Sequence, residues 1–243
     1  MKRAVIVQHA EVEGAGRIAD LLTELGYSLS AHTLKQRSDL PSNIADTDLL
    51  IVMGGSMGVG DLGAPGFDYL EAEVALLKQR VAKDAPVLGV CLGAQLLAHA
   101  AGAAVHPMKG AGGRRLYEVG WGPIAFHRAG NEAVLDGIPD RAVVVHWHGD
   151  QFALPPGARL LASSDLCNQG FQLGRRLFGL QFHCELDAAQ IEDFLQEDLP
   201  YVEQANGSQG AARIRADTQE NIASFRALGG RLLGNIIQAM SER

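Results

Sequence analysis

Cysteine is scarce in this chain of 243 residues: Cys91, Cys167 and Cys184 are its three, and none stands in a C-x-x-C pair. An odd, widely spaced set argues against a disulfide framework and points to a reducing compartment. Positive charge is also short, 21 Lys and Arg against 28 Asp and Glu, for a formal charge of -7. That balance offers no general attraction for phosphate backbones or anionic lipid, so neither nucleic acid nor a membrane is an expected partner. The amino end lacks the long apolar region of a signal peptide, because its apolar run gives out at Gln8 and His9. A cytoplasmic location is therefore expected.

Residues 85–108 carry no Asp, Glu, Lys or Arg and are long enough to suggest a membrane span. Pro86, Gly89, Gly93, Gly102, Gln95, His99 and His106 argue against one and divide the stretch into a strand, a sharp turn and a helix. There is no Walker loop, internal repeat or Pro-rich linker. The sequon at Asn206, Gly207 and Ser208 reads as a turn.

With 47% hydrophobic residues, the chain can bury a core without metal or disulfide staples. Short apolar runs alternate with helical patterns, which predicts an α/β fold: a mostly parallel central sheet with helices on both faces. Strands are expected at 4–7, from Tyr27, at 49–53 and at 87–90, with helices carrying Ile18, Leu21, Leu22 and Leu25 and spanning 67–81. After Gly102 the pattern shortens to runs at 116–119, 124–126, 143–146, 159–162 and 177–182, which predict a small antiparallel extension. From Asp187 the chain turns helical, and Asp217 with Glu220 resembles a capping box opening the last helix. The expected organisation is one domain at 1–187 and a helical tail at 188–243 packed on it.

Three segments carry chemistry. In the first, a buried strand delivers Cys91 at a tight turn into a helix, the geometry of a nucleophile elbow. Gly89 and Gly93 make room for the bend, and the helix amino terminus favours negative charge on sulfur. A free cysteine can equally be a small buried hydrophobe. In the second, His183 and Glu185 are two apart on extended chain and share a side, so the carboxylate can orient the imidazole while Cys184 faces away. A hydrogen-bonded strand histidine is the plainer reading of that pair taken alone. In the third, Gly54, Gly55 and Ser56 follow a strand in a glycine-rich loop whose backbone N–H groups, with that of Leu92, could receive an oxyanion.

Gly58-Val59-Gly60-Asp61-Leu62-Gly63 matches the dinucleotide fingerprint, but Ala64-Pro65-Gly66 stands where its helix should begin, so no nucleotide cofactor is expected. His146 and His148 alternate on a strand with no third ligand in view, so no metal is expected. Cys167 and His99 read as loop and helix-packing residues.

Taken together, Cys91-Leu92-Gly93-Ala94-Gln95 resembles the C-x-G-x-Q nucleophile motif of class I glutamine amidotransferases. Gly54-Gly55-Ser56 resembles their oxyanion loop, and Gln181-Phe182-His183-Cys184-Glu185 resembles their His-Pro-Glu ending. His148-Gly149-Asp150-Gln151-Phe152 is similar to a loop of the GMP synthase branch. The resemblance spans about residues 1–187. It implies Cys91 as nucleophile, His183 as acid and base, Glu185 as its orienting partner, and Gly55 and Leu92 as oxyanion donors. It also implies that Gly54, Gln95, Gly149 and Asp150 bind the amino-acid end of glutamine, with Arg115 and Glu118 at the pocket rim.

Two departures stand out. Cys184 replaces the family proline, which removes a fixed φ beside His183. The stretch after Asp187 is also too short for a synthetase domain. The expected activity is hydrolysis of the glutamine side-chain amide through a thioester, with ammonia passed to an acceptor on a separate protein. The alternatives are a free-standing hydrolase of γ-glutamyl peptides or conjugates, and a non-catalytic regulatory or binding protein that keeps only the fold.

Overall fold

A computed structural model describes residues 2–242. Five strands build the parallel part of the sheet: β1 (Arg3–Gln8), β2 (Ser28–Thr33), β3 (Leu49–Val52), β4 (Val87–Val90) and β11 (Leu177–Leu180). Between them lie α1 (Gly16–Glu24), α2 (Asp68–Ala82) and α3 (Leu92–Ala100). The sheet continues without a break through antiparallel β10 (Asn168–Leu173), β9 (Arg159–Ser163), β6 (Glu118–Phe126) and β7 (Arg141–His148). Its order is β2-β1-β3-β4-β11-β10-β9-β6-β7, and a separate ribbon pairs β5 (Val105–Pro107) with β8 (Asp150–Phe152). The chain closes with α4 (Ala188–Glu197), α5 (Leu199–Asn206) and α6 (Gly210–Ser241).

Strands β1, β3, β4 and β11 are buried on both faces along most of their length, which is why they read as unbroken apolar runs; β2, at the sheet's edge, is partly exposed and mixed in sequence. Along β1 and β3, Ala4, Ile6, Leu49 and Ile51 face one core, with Ile18 and Leu22 of α1 and the buried stripes of α4 and α6. Val5, Val7, Leu50 and Val52 alternate to the other face, against Leu70, Val74 and Leu77 of α2 and Leu96 and Leu97 of α3.

Several expectations are corrected. The runs at 116–119 and 124–126 are one strand, β6, beginning at Glu118; Gly120 and Gly122 within it do not mark a turn. Gly120 has φ +93°, and a Cβ there would stand 2.7 Å from Ile214 Cγ1, so the glycine admits α6 onto the sheet. Asp217 lies inside α6 and opens nothing; the helix starts seven residues earlier at Gly210. The capping box lies at Asp187, whose side chain accepts from the Gln190 N–H while Gln190 Oε1 accepts from the Asp187 N–H. Leu25, expected on the buried face of α1, is exposed just past its end. Strands β5, β8 and β10 escaped the apolar pattern because polar residues fill much of them. Among the described residues no helix is long and apolar enough to cross a membrane.

Candidate active site

The segments that follow β3 and β4 open on one cavity of about 510 Å³, lined among others by Gly55, Cys91, Leu92, Gln95, Trp147 and Asp150. Ligands bind at this end of parallel sheets because the loops that follow the strands gather there. Cys91 follows β4 directly and sits at φ +51°, ψ -109°, a strained conformation for a residue with a side chain. It is held by its own N–H, which donates to the Leu180 carbonyl at 2.8 Å. The bend is close-packed. A Cβ at Gly89 would meet the Gly93 carbonyl at 2.4 Å, so Gly89 must lack a side chain for β4 and α3 to touch.

The Cys91 thiol points to the Trp147 carbonyl at 3.7 Å and receives Gln181 Nε2 at 3.7 Å. His183 follows β11 and is fixed by its N–H to the Val145 carbonyl at 2.9 Å. Its Nδ1 faces Glu185 Oε1 at 2.7 Å, while Glu185 Oε2 accepts from the Cys184 N–H at 2.9 Å. Phe194 of α4 packs edge-on to the imidazole, with ring centroids 5.5 Å apart. Nε2 is buried and meets no partner in hydrogen-bond geometry among the described residues, though the Cys91 sulfur is near enough to act on its charge. Burial works against a charge on this ring, but the Glu185 carboxylate and then the Cys91 sulfur outweigh it, holding His183 well above the ordinary imidazole pKa. Cys184 is buried in the core, where its carbonyl rests against Gly229 of α6.

The Gly55 and Leu92 N–H groups donate to no group among the described residues. A Cβ at Gly55 would stand 2.9 Å from both His9 Cβ and Leu92 Cδ2, so the loop lies tight against the start of α3. The Gly54 carbonyl turns away from the cavity and accepts from His9 Nδ1 at 2.8 Å. Gln95 is buried, with Nε2 donating to Gln181 Oε1 at 3.1 Å, so Gln181 links it to the Cys91 sulfur. Gly149 and Asp150 line the cavity, and Asp150 is paired with Arg115 at 2.5 Å on its rim.

Glu118 is placed elsewhere, in a cluster beside β7. It lies with His148 and Cys167 so that one ligand atom of each is within 4.8 Å of the others, supplying the partners that local sequence could not show for His148. Gln169 Nε2 stands among them, 2.7 Å from Glu118 Oε2 and 3.3 Å from Cys167 Sγ. Burial pushes the neighbouring His146 down to about 4, so that ring is neutral at pH 7.

Sequence reasoning assigned no role to four residues that build the surroundings of the site. Glu13 reaches over Gly54, where a Cβ would meet Glu13 Oε2 at 2.0 Å and Cys91 Cβ at 3.5 Å. Burial raises Glu13 to about 7, opposed by His183 and His9. His9 and Glu73 form a buried pair at 2.9 Å, and Gln181 bridges to the sulfur. Partners so far apart in the chain leave no local pattern.

The sequence model of the family Glutamine amidotransferase class-I matches residues 15–198. The chain is 32% identical over 223 residues to the glutamine amidotransferase-like protein YfeJ of Salmonella typhimurium, covering 88% of this chain and 90% of that one. It is 36% identical over 138 residues to the glutamine-hydrolyzing GMP synthase of Thermomicrobium roseum, covering 56% of this chain but 23% of that protein. The crystal structure of a glutamine amidotransferase from Thermotoga maritima superposes with a TM-score of 0.83 at 26% identity, over 100% of this chain and 99% of that one. Its fold is that of enzymes that hydrolyse the glutamine amide with a cysteine nucleophile, and the chain belongs to the class I glutamine amidotransferase family.

Proposed function

We propose that this protein hydrolyses the side-chain amide of glutamine through Cys91, His183 and Glu185. The observation that carries the reading is the elbow itself: Cys91 at the mouth of α3, beside two backbone N–H groups with no partner among the described residues. The Cys91 thiolate attacks the carboxamide carbon, and the N–H groups of Gly55 and Leu92 receive the charge that develops on its oxygen. His183 Nε2 delivers a proton to the departing nitrogen, the C–N bond breaks, and ammonia leaves a glutamyl thioester. A water then gives its proton to His183 and attacks the thioester, releasing glutamate and the thiolate. Glu185 keeps the ring in the orientation that leaves Nε2 free for both transfers. Gln95, Gly149 and Asp150 hold the amino-acid end of the substrate, and the ammonia passes to an acceptor on a separate protein. A relative from Methanoregula boonei is named as one subunit of a glutamine-hydrolyzing GMP synthase, which suggests a synthetase as that acceptor.

The cavity is roomier than free glutamine requires, which favours a second reading in which a γ-glutamyl peptide or conjugate is cleaved by the same steps. Intact-mass analysis after a glutamine-like electrophile, paired with ammonia and amine release assays, tests both. A single adduct lost in Cys91→Ala, with ammonia released from glutamine, is the expected result. Faster turnover of γ-glutamyl peptides would replace glutamine as substrate, and an adduct that survives Cys91→Ala would overturn the assignment of the nucleophile.

A further inference from the structure

We propose that His9, braced by Glu73, is a positioning residue that aims the Gly55 N–H into the oxyanion site; the inference rests on the hydrolytic reading above. The Gly54–Gly55 peptide carries both groups concerned. No cis peptide occurs among the described residues, so the Gly54 carbonyl and the Gly55 N–H point in opposite directions across one rigid plane. Fixing the first fixes the second. Glycines on both sides of that plane supply no side chain to hold it, and rotation would turn the N–H away at little cost.

The restraint comes from another part of the chain. His9, just past β1, places Nδ1 2.8 Å from the Gly54 oxygen, on the side opposite the donor. Its Nε2 is 2.9 Å from Glu73 Oε2 on α2, and both side chains are essentially without solvent exposure. The carbonyl can only accept, so Nδ1 carries a proton, and the Glu73 carboxyl shares a second proton with Nε2. Both ring nitrogens are thus engaged, and the contact with Glu73 favours positive charge on the ring. Burial opposes that charge, but Glu73 and then Gly54 prevail, and the His9 pKa is raised. A charged donor makes a stronger and more directional bond to the carbonyl than a neutral one. The same residue also sets the loop's position, since its Cβ lies against the place where a Gly55 side chain would be. His9 touches no reacting atom and acts through this one peptide.

The test compares His9→Leu, His9→Asn and Glu73→Gln with wild type. In His9→Asn the amide nitrogen takes the place of Nδ1 and can still donate to the Gly54 carbonyl. Four quantities are read: kcat, KM, inhibition by the γ-aldehyde of glutamate, and the rate at which iodoacetamide alkylates Cys91. The aldehyde forms a tetrahedral adduct with an oxyanion, whereas alkylation at a saturated carbon forms none. His9→Leu should lose at least about tenfold in kcat and in aldehyde affinity. Its KM and alkylation rate should stay within about twofold of wild type. His9→Asn should recover most of the loss, and Glu73→Gln should show a smaller loss of the same pattern, which decides the matter if His9→Leu does not fold. Equal losses in all four quantities, or aldehyde affinity unchanged in the folded variants, overturn the proposal while leaving the hydrolase intact. A wild-type protein that is alkylated at Cys91 yet neither binds the aldehyde nor turns over glutamine or γ-glutamyl peptides overturns the hydrolytic reading and this inference with it.

Discussion

Gly93 of α3 lies directly against Val52 at the end of β3: a Cβ at Gly93 would stand 2.0 Å from the Val52 carbonyl oxygen. The oxygen is backbone and a Cβ is fixed by its own Cα, so neither can swing aside. A side chain there lifts the helix from the sheet and takes the Cys91 elbow with it. Gly93→Ala should lower stability by about 1–3 kcal/mol and reduce turnover. Urea denaturation and a rate measurement check this; a wild-type midpoint with wild-type activity would show that the contact is not as tight as described.

The strain at Cys91 predicts an ordering between two variants at this position. Its positive φ is easy for glycine and unfavourable for alanine. Cys91→Gly should therefore be more stable than Cys91→Ala by about 1 kcal/mol, the reverse of the usual order for these residues. Thermal unfolding of the two proteins settles it.

Glu185→Gln retains a side-chain acceptor near His183 Nδ1 but removes the charge. Turnover should fall by about four orders of magnitude, as expected for an orienting carboxylate. Stability offers an independent check. The folded-state pKa of His183 stands above its ordinary 6.5, so its stabilising contribution is complete below that pH and is lost as pH rises through the raised value. The advantage of wild type over Glu185→Gln in melting temperature should therefore shrink from pH 6.5 upward, and an advantage that grows with pH would contradict the assignment.

Glu13 shifts the opposite way to a salt-bridged carboxylate. Its folded-state pKa is about 7 against an ordinary 4.5, so between those values the unfolded chain has released a proton that the folded protein retains. Wild type should lose stability relative to Glu13→Gln as pH rises from 4.5 to 7, with the difference level above that range. Melting temperatures across the window test the sign.

The tail helix is part of the core. Phe225 is 1% exposed and meets Trp121 of β6 edge-on, 5.0 Å between ring centroids. Phe225→Ala should lower stability by about 3–5 kcal/mol. Because the ring is remote from the Cys91 cavity, the protein that remains folded should keep its KM, measured at a temperature well below the melting point.

Much of the fold was legible because parallel strands buried on both faces leave dense apolar runs, and residues 87–90 show this plainly. The elbow could be read too, since Gly89, Cys91 and Gly93 act within a few residues of one another. Reading failed where contacts from far away changed the local rule. The runs at 116–119 and 124–126 read as separate, yet they join through Gly120, the gap in β6 that receives Ile214. Asp217 had the spacing of a cap, but the favourable run from Ala211 carries the helix straight through it. His148 appeared to lack companions because Glu118 and Cys167 reach it from other strands and loops.

The sequence by itself determined the layered α/β arrangement, the sharp bend that presents Cys91, and the shared side of His183 and Glu185. These depend on interactions between residues at most a few positions apart. Only the tertiary structure decided what surrounds the sulfur: the Gln95–Gln181 link, the overhanging Glu13 carboxyl, and the His9–Glu73 pair that grips the Gly54 carbonyl. Those contacts join separate strands and helices, and side chains 64 positions apart meet only after the sheet has brought their elements together.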